Sequence, residues 1–359
     1  MQIYVYDRDM NPLGIIEAMT SLLWTRKFRE PGEVDIEVPA TAQSAQLLAI
    51  GNILMQKDSD EAMQIDYMAI TKTGEDMDVV QAIGHTILNW LKYRVITADV
   101  SDDDHTPQYL IAKLIHDNAT APSKAARALP ISLTTPQQYT QDTMAYQASR
   151  YTNLLDCVQD LLSLSGMGIL CHTNPVTGTH SLELVESADK TAGTASQCVF
   201  STEWGSLGEH TYTHSEETHC STVYVEGGDN IFQIAGDDLT GLDRREVYLS
   251  ATDVSLSWTD FDGNSHTQTA AKVRSKILKR AQQALAREFQ PELTFEGDAL
   301  THSSALQYRR DYDIGDIVTC MDERWGVSVD VVISEIAEEY TDGVRKVSLV
   351  LGEGRPTIK

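Results

Sequence analysis

His210, His214, His219 and Cys220 form the most conspicuous group of potential metal ligands in the sequence. On a β-strand, His210 and His214 would lie on one face, because side chains alternate and an even spacing returns to the same side. His219 and Cys220 could then complete a tetrahedral zinc site. The spacing matches no established ligand pattern, however, and a polar, solvent-facing strand followed by a loop explains the same residues. We favour the polar strand and leave metal binding by these four residues open.

Asp260, Asp262 and Asn264 resemble the first ligands of an EF-hand loop. Such a loop requires glycine at its sixth position and glutamate at its twelfth, where this chain has Ser265 and Ala271. The glycine stands at the fourth position instead, which suits a tight hairpin turn. The segment therefore predicts a turn between two strands and not a calcium site.

The motifs of common catalytic sites are missing from this sequence. It contains no G-x-S-x-G, no H-E-x-x-H and no P-loop, and Gly166-Met-Gly168 continues as Ile-Leu-Cys171, unlike a dinucleotide fingerprint. With 53 Asp and Glu in 359 residues, acidic pairs are too common to single out a glycosidase dyad. We therefore assign no catalytic residue, no cofactor and no metal site, and we expect a protein that is not an enzyme.

The cysteines are widely spaced and odd in number, and none of them forms a C-x-x-C pair. This argues against both a disulfide framework and a cysteine zinc site. Buried or half-buried free thiols are the expected state, because free cysteine behaves as a small apolar residue. The residues are Cys157, Cys171, Cys198, Cys220 and Cys320.

The charge balance excludes one broad class of function. The chain has 28 Lys and Arg against 53 Asp and Glu, a formal net charge of −25. Such a surface repels nucleic acid and anionic membranes. No apolar stretch approaches 18 residues, so we predict no membrane span. The opening Met1–Asp9 indicates a strand and not a signal peptide, so we expect synthesis in the cytoplasm.

The first hundred residues are rich in short strands separated by turn signals. Val34, Ile36 and Val38 alternate with Asp35 and Glu37, the pattern of a strand with one buried face. Repeated short strands of this kind predict a small barrel or sandwich. A helical segment is expected over Thr86–Tyr93.

Helices alternate with strands in the middle of the chain. Thr106 and Pro107 predict a helix start, with threonine as the N-cap and proline in the first turn. Helical spacing over Asn153–Leu164 is followed by two strands, which predicts an α/β unit. Residues 119–150 receive no assignment. The strands are Gly168–His172 and Ser181–Val185.

The last part of the chain combines the longest helix with further strands. The helix is expected over Thr269–Phe289 and is the only strongly basic segment. Its cations could bind phosphates or lie against acidic neighbours in the same assembly, and we favour the acidic neighbours because of the net charge of −25. The predicted strands of this region are Thr222–Glu226, Ala305–Tyr308, Ile317–Met321, Trp325–Ile336 and Arg345–Leu351.

The order and spacing of several segments resemble the tail-tip hub proteins of long-tailed bacteriophages, and the structural N-terminal part of tail-associated lysins. No single motif among them is chemically diagnostic. The resemblance is strongest over 1–98 and 222–356. The segments are Val5–Gly14, Gly84–Ile96, Leu242–Asp253, Tyr308–Val318, Asp322–Gly326, Ile333–Tyr340 and Leu351–Gly352.

The resemblance implies an α+β, mainly β fold with two small tube-type β-barrel domains and an inserted α/β domain, assembling as a trimeric ring. Under this interpretation the chain divides into four segments. These are an N-terminal barrel domain (1–95), the inserted domain (96–195), a β segment completing a barrel (196–265), and a helix followed by a C-terminal barrel domain (266–359).

The resemblance also implies a structural virion protein at the tail tip, a homotrimeric baseplate hub that adapts a sixfold tail to a threefold tip. The implied partners are the distal tail protein, the tail tube, the tape measure protein, and receptor-binding or fibre proteins. DNA would pass through the lumen without specific binding. Two alternatives remain: a tail-associated cell-wall hydrolase, either peptidase or glycosidase, and a free-standing binding module.

Charge is consistent with a hub. A trimer would carry 3 × (−25) = −75, and an acidic wall repels phosphates over a Debye length of about 8 Å at physiological salt. We therefore expect part of the acidic excess to face the lumen.

Overall fold

The computed structural model describes residues 1–57, 59–72, 78–102, 105–136, 143–144, 146–252, 254–259, 265–300, 306–341 and 343–355. Within these residues the protein is mainly β, with mostly antiparallel strand pairs and few helices, as predicted. No helix in the described part of the chain has the length and apolar character that crossing a membrane requires.

The N-terminal region forms one half of a long sheet. Val34, Ile36 and Val38 are buried and alternate with more exposed acidic residues, which confirms the predicted strand. The elements are β1 (Ile3–Tyr6), β2 (Pro12–Ile16), β3 (Ser21–Lys27), β4 (Glu33–Pro39), α1 (Ala42–Leu47), β5 (Ile53–Gln56), β6 (Ala62–Thr71), β7 (Val79–Thr86) and a 3₁₀ helix (Ile87–Tyr93).

The middle region contains the predicted α/β unit. Thr106 Oγ1 accepts a hydrogen bond from the Tyr109 backbone N–H, with Pro107 in the first turn, which confirms the predicted helix start. The elements are β8 (Val100–Asp102), α2 (Pro107–Ile115), a π-helix (His116–Thr120), a 3₁₀ helix (Ala125–Arg127), β9 (Ile131–Thr134), β10 (Tyr146–Ala148), α3 (Leu154–Ser165), β11 (Gly168–Asn174) and β12 (Thr179–Val185).

The following region adds strands to the long sheet and forms a second, smaller sheet. The elements are β13 (Asp189–Lys190), β14 (Val199–Ser201), β15 (Leu207–Ser215), β16 (Thr222–Gly227), a 3₁₀ helix (Gly228–Asn230), β17 (Ile231–Gly236), a 3₁₀ helix (Gly241–Asp243), β18 (Glu246–Ala251), β19 (Ser257–Thr259), β20 (Ser265–Thr267) and α4 (Ala270–Arg287). The predicted turn at 260–264 lies outside the described residues, but the flanking β19 and β20 pair antiparallel.

The C-terminal region consists of long strands. They are β21 (Glu292–Ala299), β22 (Ile317–Asp322), β23 (Val327–Thr341) and β24 (Val344–Arg355). The predicted strand Ala305–Tyr308 is wrong over its described part, where Tyr308 forms only a single bridge with Tyr312. The residues around it turn back instead, and Arg309 has a left-handed φ of 65°.

A pairing between β3 and β23 joins the N-terminal and C-terminal strands into one sheet. Its order is β15-β21-β24-β23-β3-β4-β7-β6-β5-β1-β2, and β22 pairs with β13, β14 and β23. The β3–β23 pairing is antiparallel, from Lys27 opposite Glu335 to Ser21 opposite Thr341. The long sheet therefore consists of two halves that continue into each other through a hydrogen-bonded seam.

Four main clusters of buried apolar residues lie around this framework. One fills each half of the long sheet, one lies within the α/β unit, and one lies between α4 and the sheet β17-β16-β18. In this last cluster, Val273 and Ile277 of α4 lie in the same core as Val223 and Val225 of β16. We retain the four sequence segments as a proposal for the domain division.

Candidate functional site

The residues considered as zinc ligands lie on β15 and in the loop after it, each with other contacts. His214 is about half exposed, with Nε2 4.0 Å from Glu216 Oε1. His219 Nδ1 lies 2.8 Å from the Phe289 carbonyl oxygen, and Cys220 Sγ lies 3.6 Å from that of Thr218. Among the described residues, no group of three or more His, Cys, Asp or Glu side chains is arranged to hold a metal ion.

His210 differs from the prediction of a solvent-facing strand, because its side chain is only 4% exposed. It lies opposite Gly297 of β21, stacks on Phe295 at 5.2 Å between ring centroids, and is covered by Trp325 at 4.7 Å. The missing side chain at Gly297 leaves room for the ring, since a Cβ there would lie 2.9 Å from His210 Cβ. His210 is therefore part of an aromatic cluster.

Asp322 organises the turn that carries Trp325. Its Oδ1 accepts hydrogen bonds from the backbone N–H groups of Arg324 and Trp325, at 2.8 and 3.2 Å. The hydrogen bond from the Arg324 side chain, helped by those backbone donors, lowers the pKa of Asp322 to about 2. Its Oδ2 lies 3.2 Å from His210 Nε2. These contacts hold the Trp325 indole over the His210 ring, so Asp322 and His210 have a structural role in this cluster.

All the cysteines are free thiols, as predicted, and Cys220 alone is not buried. Burial raises the pKa of Cys171 and of Cys198 to about 12. Thiols with such a pKa are poor nucleophiles at neutral pH. Cys171 and Cys198 are therefore poor candidates for a reactive centre.

One face of the long sheet combines residues from the N-terminal and the C-terminal regions of the chain. Side chains directly opposite each other on paired strands lie on the same face, so the strand register identifies that face residue by residue. Asp35 of β4 lies opposite Leu23 of β3, which lies opposite Glu339 of β23. Beyond β23, Glu339 lies opposite Lys346 of β24. The face thus crosses the seam without interruption.

Carboxylates predominate on this surface, which we call the acidic face. Its described cationic side chains are Lys27 and Lys346, with His85 beside Asp66 and Glu33. Small hydroxyl residues such as Thr211 and Thr213 occupy many of the other positions. The carboxylates of the acidic face are Glu33, Asp35, Glu37, Asp66, Glu209, Glu292, Glu296, Glu335 and Glu339.

Arg26 holds the two sheet halves together on the other side of the sheet. Its Nε donates to Glu61 Oε2 at 2.8 Å and its Nη1 donates to the Tyr308 hydroxyl at 3.0 Å. Its Nη1 also forms an ion pair with Asp313. Burial lowers the pKa of Arg26, but Glu61, Tyr308 and Asp313 more than offset this and raise it overall, so the guanidinium stays charged.

Sequence reasoning found part of this arrangement and missed the rest. The alternation in β4 identified Asp35 and Glu37 as residues of an exposed face. Gly315, inside the segment Tyr308–Val318, has a φ of +86° and lies in the turn just before β22. The long-range pairing that aligns β4 with β23 carries no local signal. Only a search for acidic residues at alternating positions in every predicted strand could have indicated the acidic face.

A family model and several solved structures match nearly the whole chain. The family model described as Siphovirus ReqiPepy6 Gp37-like protein matches residues 2–353. Comparison with curated protein sequences gives no significant match.

Three solved structures share this fold over nearly the whole chain. The tail protein from Neisseria meningitidis MC58 matches with a TM-score of 0.59 and 10% identity, covering 98% of this chain and 96% of its own. Prophage tail protein gp18 from Listeria monocytogenes EGD-e gives 0.58 and 12%, covering 98% and 94%. The 43 kDa tail protein of prophage MuSo2 from Shewanella oneidensis gives 0.57 and 13%, covering 98% of each chain. Together with the family match, these findings confirm the resemblance to bacteriophage tail proteins.

Proposed function

The chain belongs to the family described as Siphovirus ReqiPepy6 Gp37-like protein, and from this premise we propose that it is a non-enzymatic structural component of a phage tail. In the finer form of the proposal it is the homotrimeric hub at the tail tip. It would contact the distal tail protein, tail tube and tape measure protein on one side and receptor-binding or fibre proteins on the other. The hydrolase alternative gains no support from the family match or from the structural relatives.

The acidic face is the observation that carries this proposal. It runs across two sheet halves in each chain, so three copies would supply 3 × 2 = 6 halves around a ring that joins a sixfold tube. Cyclic symmetry of this kind is how identical chains close a collar. If the face lines the lumen, carboxylates from β4 and β23 meet the passing DNA and repel its phosphates.

The assembly is tested by the mass of the purified protein in solution. A trimer of the 39.8 kDa chain has a mass of 3 × 39.8 = 119.4 kDa, and light scattering across a concentration series measures it. A monomer that persists at the highest concentration would contradict the ring. Electron microscopy of the same sample shows whether the particles are hollow.

The lumen is tested with a double charge reversal, Glu37→Lys with Glu339→Lys, which places one lysine on each sheet half. The matched control is Asp237→Lys with Glu217→Lys, two exposed residues outside the acidic face. In a gel-shift assay at physiological salt, we expect the first variant to bind linear duplex DNA and retard its band. The control variant and the wild type should leave the DNA band unshifted. Equal retention by the two variants would argue against a luminal position, whereas tight DNA binding by the wild type would contradict the repulsive wall.

A further inference from the structure

The sheet β17-β16-β18 packs one face against α4 and exposes the opposite face, which we call the outer face. Val223 of β16 is buried towards α4, so its neighbour Tyr224 lies on the outer face. The strand register places Ile234 of β17 and Tyr248 of β18 directly beside Tyr224. Ile234 and Tyr248 are each 57% exposed, and Phe232 on the same face is 58% exposed. Large apolar side chains clustered on one surface indicate a contact site.

Carboxylates hold the two tyrosine side chains of the outer face in place. The Tyr224 hydroxyl donates to Glu246 Oε1 at 3.0 Å, and the Tyr248 hydroxyl donates to Glu226 Oε2 at 2.6 Å. Glu246 is paired with Arg244, whereas Glu226 has no cationic partner among the described residues. The outer face is therefore ordered before a partner arrives, which lowers the entropy cost of binding, and it carries one uncompensated carboxylate.

The exposed surface of α4 has the opposite charge. Lys272 and Arg274 lie in the first turns of this helix on either side of Val273, which is fully buried. Both residues are exposed, and neither has an acidic partner in the part of the chain that the structure describes. Their aliphatic stems can cover apolar surface while the charged ends reach a carboxylate, and a cation over an aromatic ring is itself attracted. The start of α4 therefore complements the outer face in both charge and apolar character.

The two complementary surfaces belong to opposite sides of one two-layered unit. Within a single chain the sheet separates the cations of α4 from Glu226, so only another molecule can bring such groups together. A second copy covers both surfaces with one repeated contact. A separate chain would have to bring a basic segment of its own and would leave α4 unpaired, although α4 is the only strongly basic segment of a chain with net charge −25. Charge complementarity therefore selects a second copy as the occupant.

We propose that the outer face of this sheet binds the first turns of α4 from a second copy of the protein. Each copy then presents one surface and receives the other, a head-to-tail contact that closes into a ring when the rotation between copies allows it. Glu226 gains cations that its own chain does not supply, and the rings of Tyr224 and Phe232 are removed from water. This contact rests on the assembly of several copies under the proposed function, but not on the position of the acidic face.

Disulfide trapping tests which surfaces meet. The background variant Cys220→Ser removes the cysteine that is not buried. Ser250→Cys then places a thiol beside Glu226 on the outer face, and Ser275→Cys places one beside Arg274 on α4. Under mild oxidation the double variant should form covalent multimers that end at the size of the ring, because the two thiols of one chain lie in opposite layers. Either single variant should remain uncrosslinked.

The matched control combines Ser250→Cys with Ser123→Cys, an exposed serine in the middle region, and should give no multimers. Crosslinking by Ser250→Cys alone would overturn the proposal, because outer faces would then meet each other. If the double variant gives no crosslinks although light scattering shows an oligomer, this contact is wrong and the proposed function stands. A persistent monomer would overturn both.

Charge reversal tests the complementarity. Lys272→Glu with Arg274→Glu should raise the concentration at which the assembly dissociates by about tenfold or more, because like charges then meet at Glu226. Glutamate in the first turn favours a helix, so α4 should stay folded, as circular dichroism can verify. The control Lys92→Glu with Lys124→Glu makes the same charge change at exposed lysines elsewhere and should leave that concentration unchanged.

A compensating change identifies the partner carboxylate. Adding Glu226→Lys to the reversed pair on α4 should restore part of the assembly, since opposite charges face each other again. Equal effects of the α4 pair and its control pair, or a triple variant that assembles no better than the double variant, would contradict the pairing of α4 with Glu226.

Discussion

His172 Nδ1 lies 2.6 Å from Asp60 Oδ2, although 112 residues separate them in the sequence. Asp60 precedes β6 of the long sheet, and His172 is on β11 of the α/β unit. The Thr173 backbone N–H also donates to the Asp60 carbonyl, and His172 Nε2 lies 3.0 Å from Glu183 Oε2. These contacts tie the inserted unit to the sheet through a histidine between two carboxylates.

The contact between His172 and Asp60 predicts a pH-dependent contribution to stability. The hydrogen bond to Asp60, opposed by burial, raises the pKa of His172, and the same hydrogen bond lowers the pKa of Asp60. The histidine contribution is complete below the unfolded pKa of about 6.5 and is lost as pH rises through the folded value. The aspartate contribution is complete above about pH 4 and is lost as pH falls.

His172→Gln should therefore lower the urea midpoint of unfolding more at pH 5.5 than at pH 8.5. The control His116→Gln changes an exposed histidine on the π-helix and should show a smaller difference between the two pH values. Equal destabilisation by His172→Gln at both pH values would show that the contact does not depend on the histidine charge.

The buried ion pair at the seam predicts strong coupling between Arg26 and Glu61. Their side chains are 12% and 10% exposed. Arg26→Met should destabilise the protein by about 3 kcal/mol or more, because it leaves a buried carboxylate without its cation. Arg26→Met with Glu61→Gln should recover part of that loss. Chemical unfolding of both single variants and the double variant measures the coupling, and simple additivity would contradict it.

A close contact between Phe28 and a glycine predicts that the α/β unit tolerates no side chain at Gly168. A Cβ there would lie 2.1 Å from the Phe28 ring, which is itself buried. Gly168→Ala should therefore destabilise the protein by about 1–3 kcal/mol, as overpacking does. Gly352→Ala is the control, because its Cβ would meet only the Ser334 side chain, with Oγ at 3.3 Å and Cβ at 3.9 Å. Thermal unfolding distinguishes the two, and equal midpoints would contradict the steric argument.

The core beneath α4 predicts a local effect on the small sheet. Ile277 is fully buried and packs in the same cluster as Val223 and Val225 of β16. Ile277→Ala should cost about 2–5 kcal/mol. Hydrogen exchange should show the loss of amide protection first in β16–β18 and not in β3 or β4. Gln282→Ala changes an exposed residue of the same helix and should leave β16–β18 protected.

Local patterns were sufficient for most individual elements. Thr106, Asn153 and Thr269 all act as N-caps of their helices, and capping depends only on residues a few positions apart. The predicted strand ending at Tyr308 failed because that segment is shaped by distant contacts, including the Arg26 hydrogen bond to its hydroxyl. The prediction that His210 faces solvent was wrong for a similar reason. Its ring is covered by Trp325, which lies in the turn between β22 and β23.

The sequence by itself determined the mainly β character, the helix starts, the negative charge and the likeness to phage tail proteins. It identified Asp35 and Glu37 as members of an exposed face, because alternation along a strand fixes which side each residue takes. Only the tertiary structure decided that β3 pairs with β23, which aligns that face with Glu339. The physical reason is that periodicity describes a strand relative to itself, whereas the choice of its neighbour depends on how the whole chain packs.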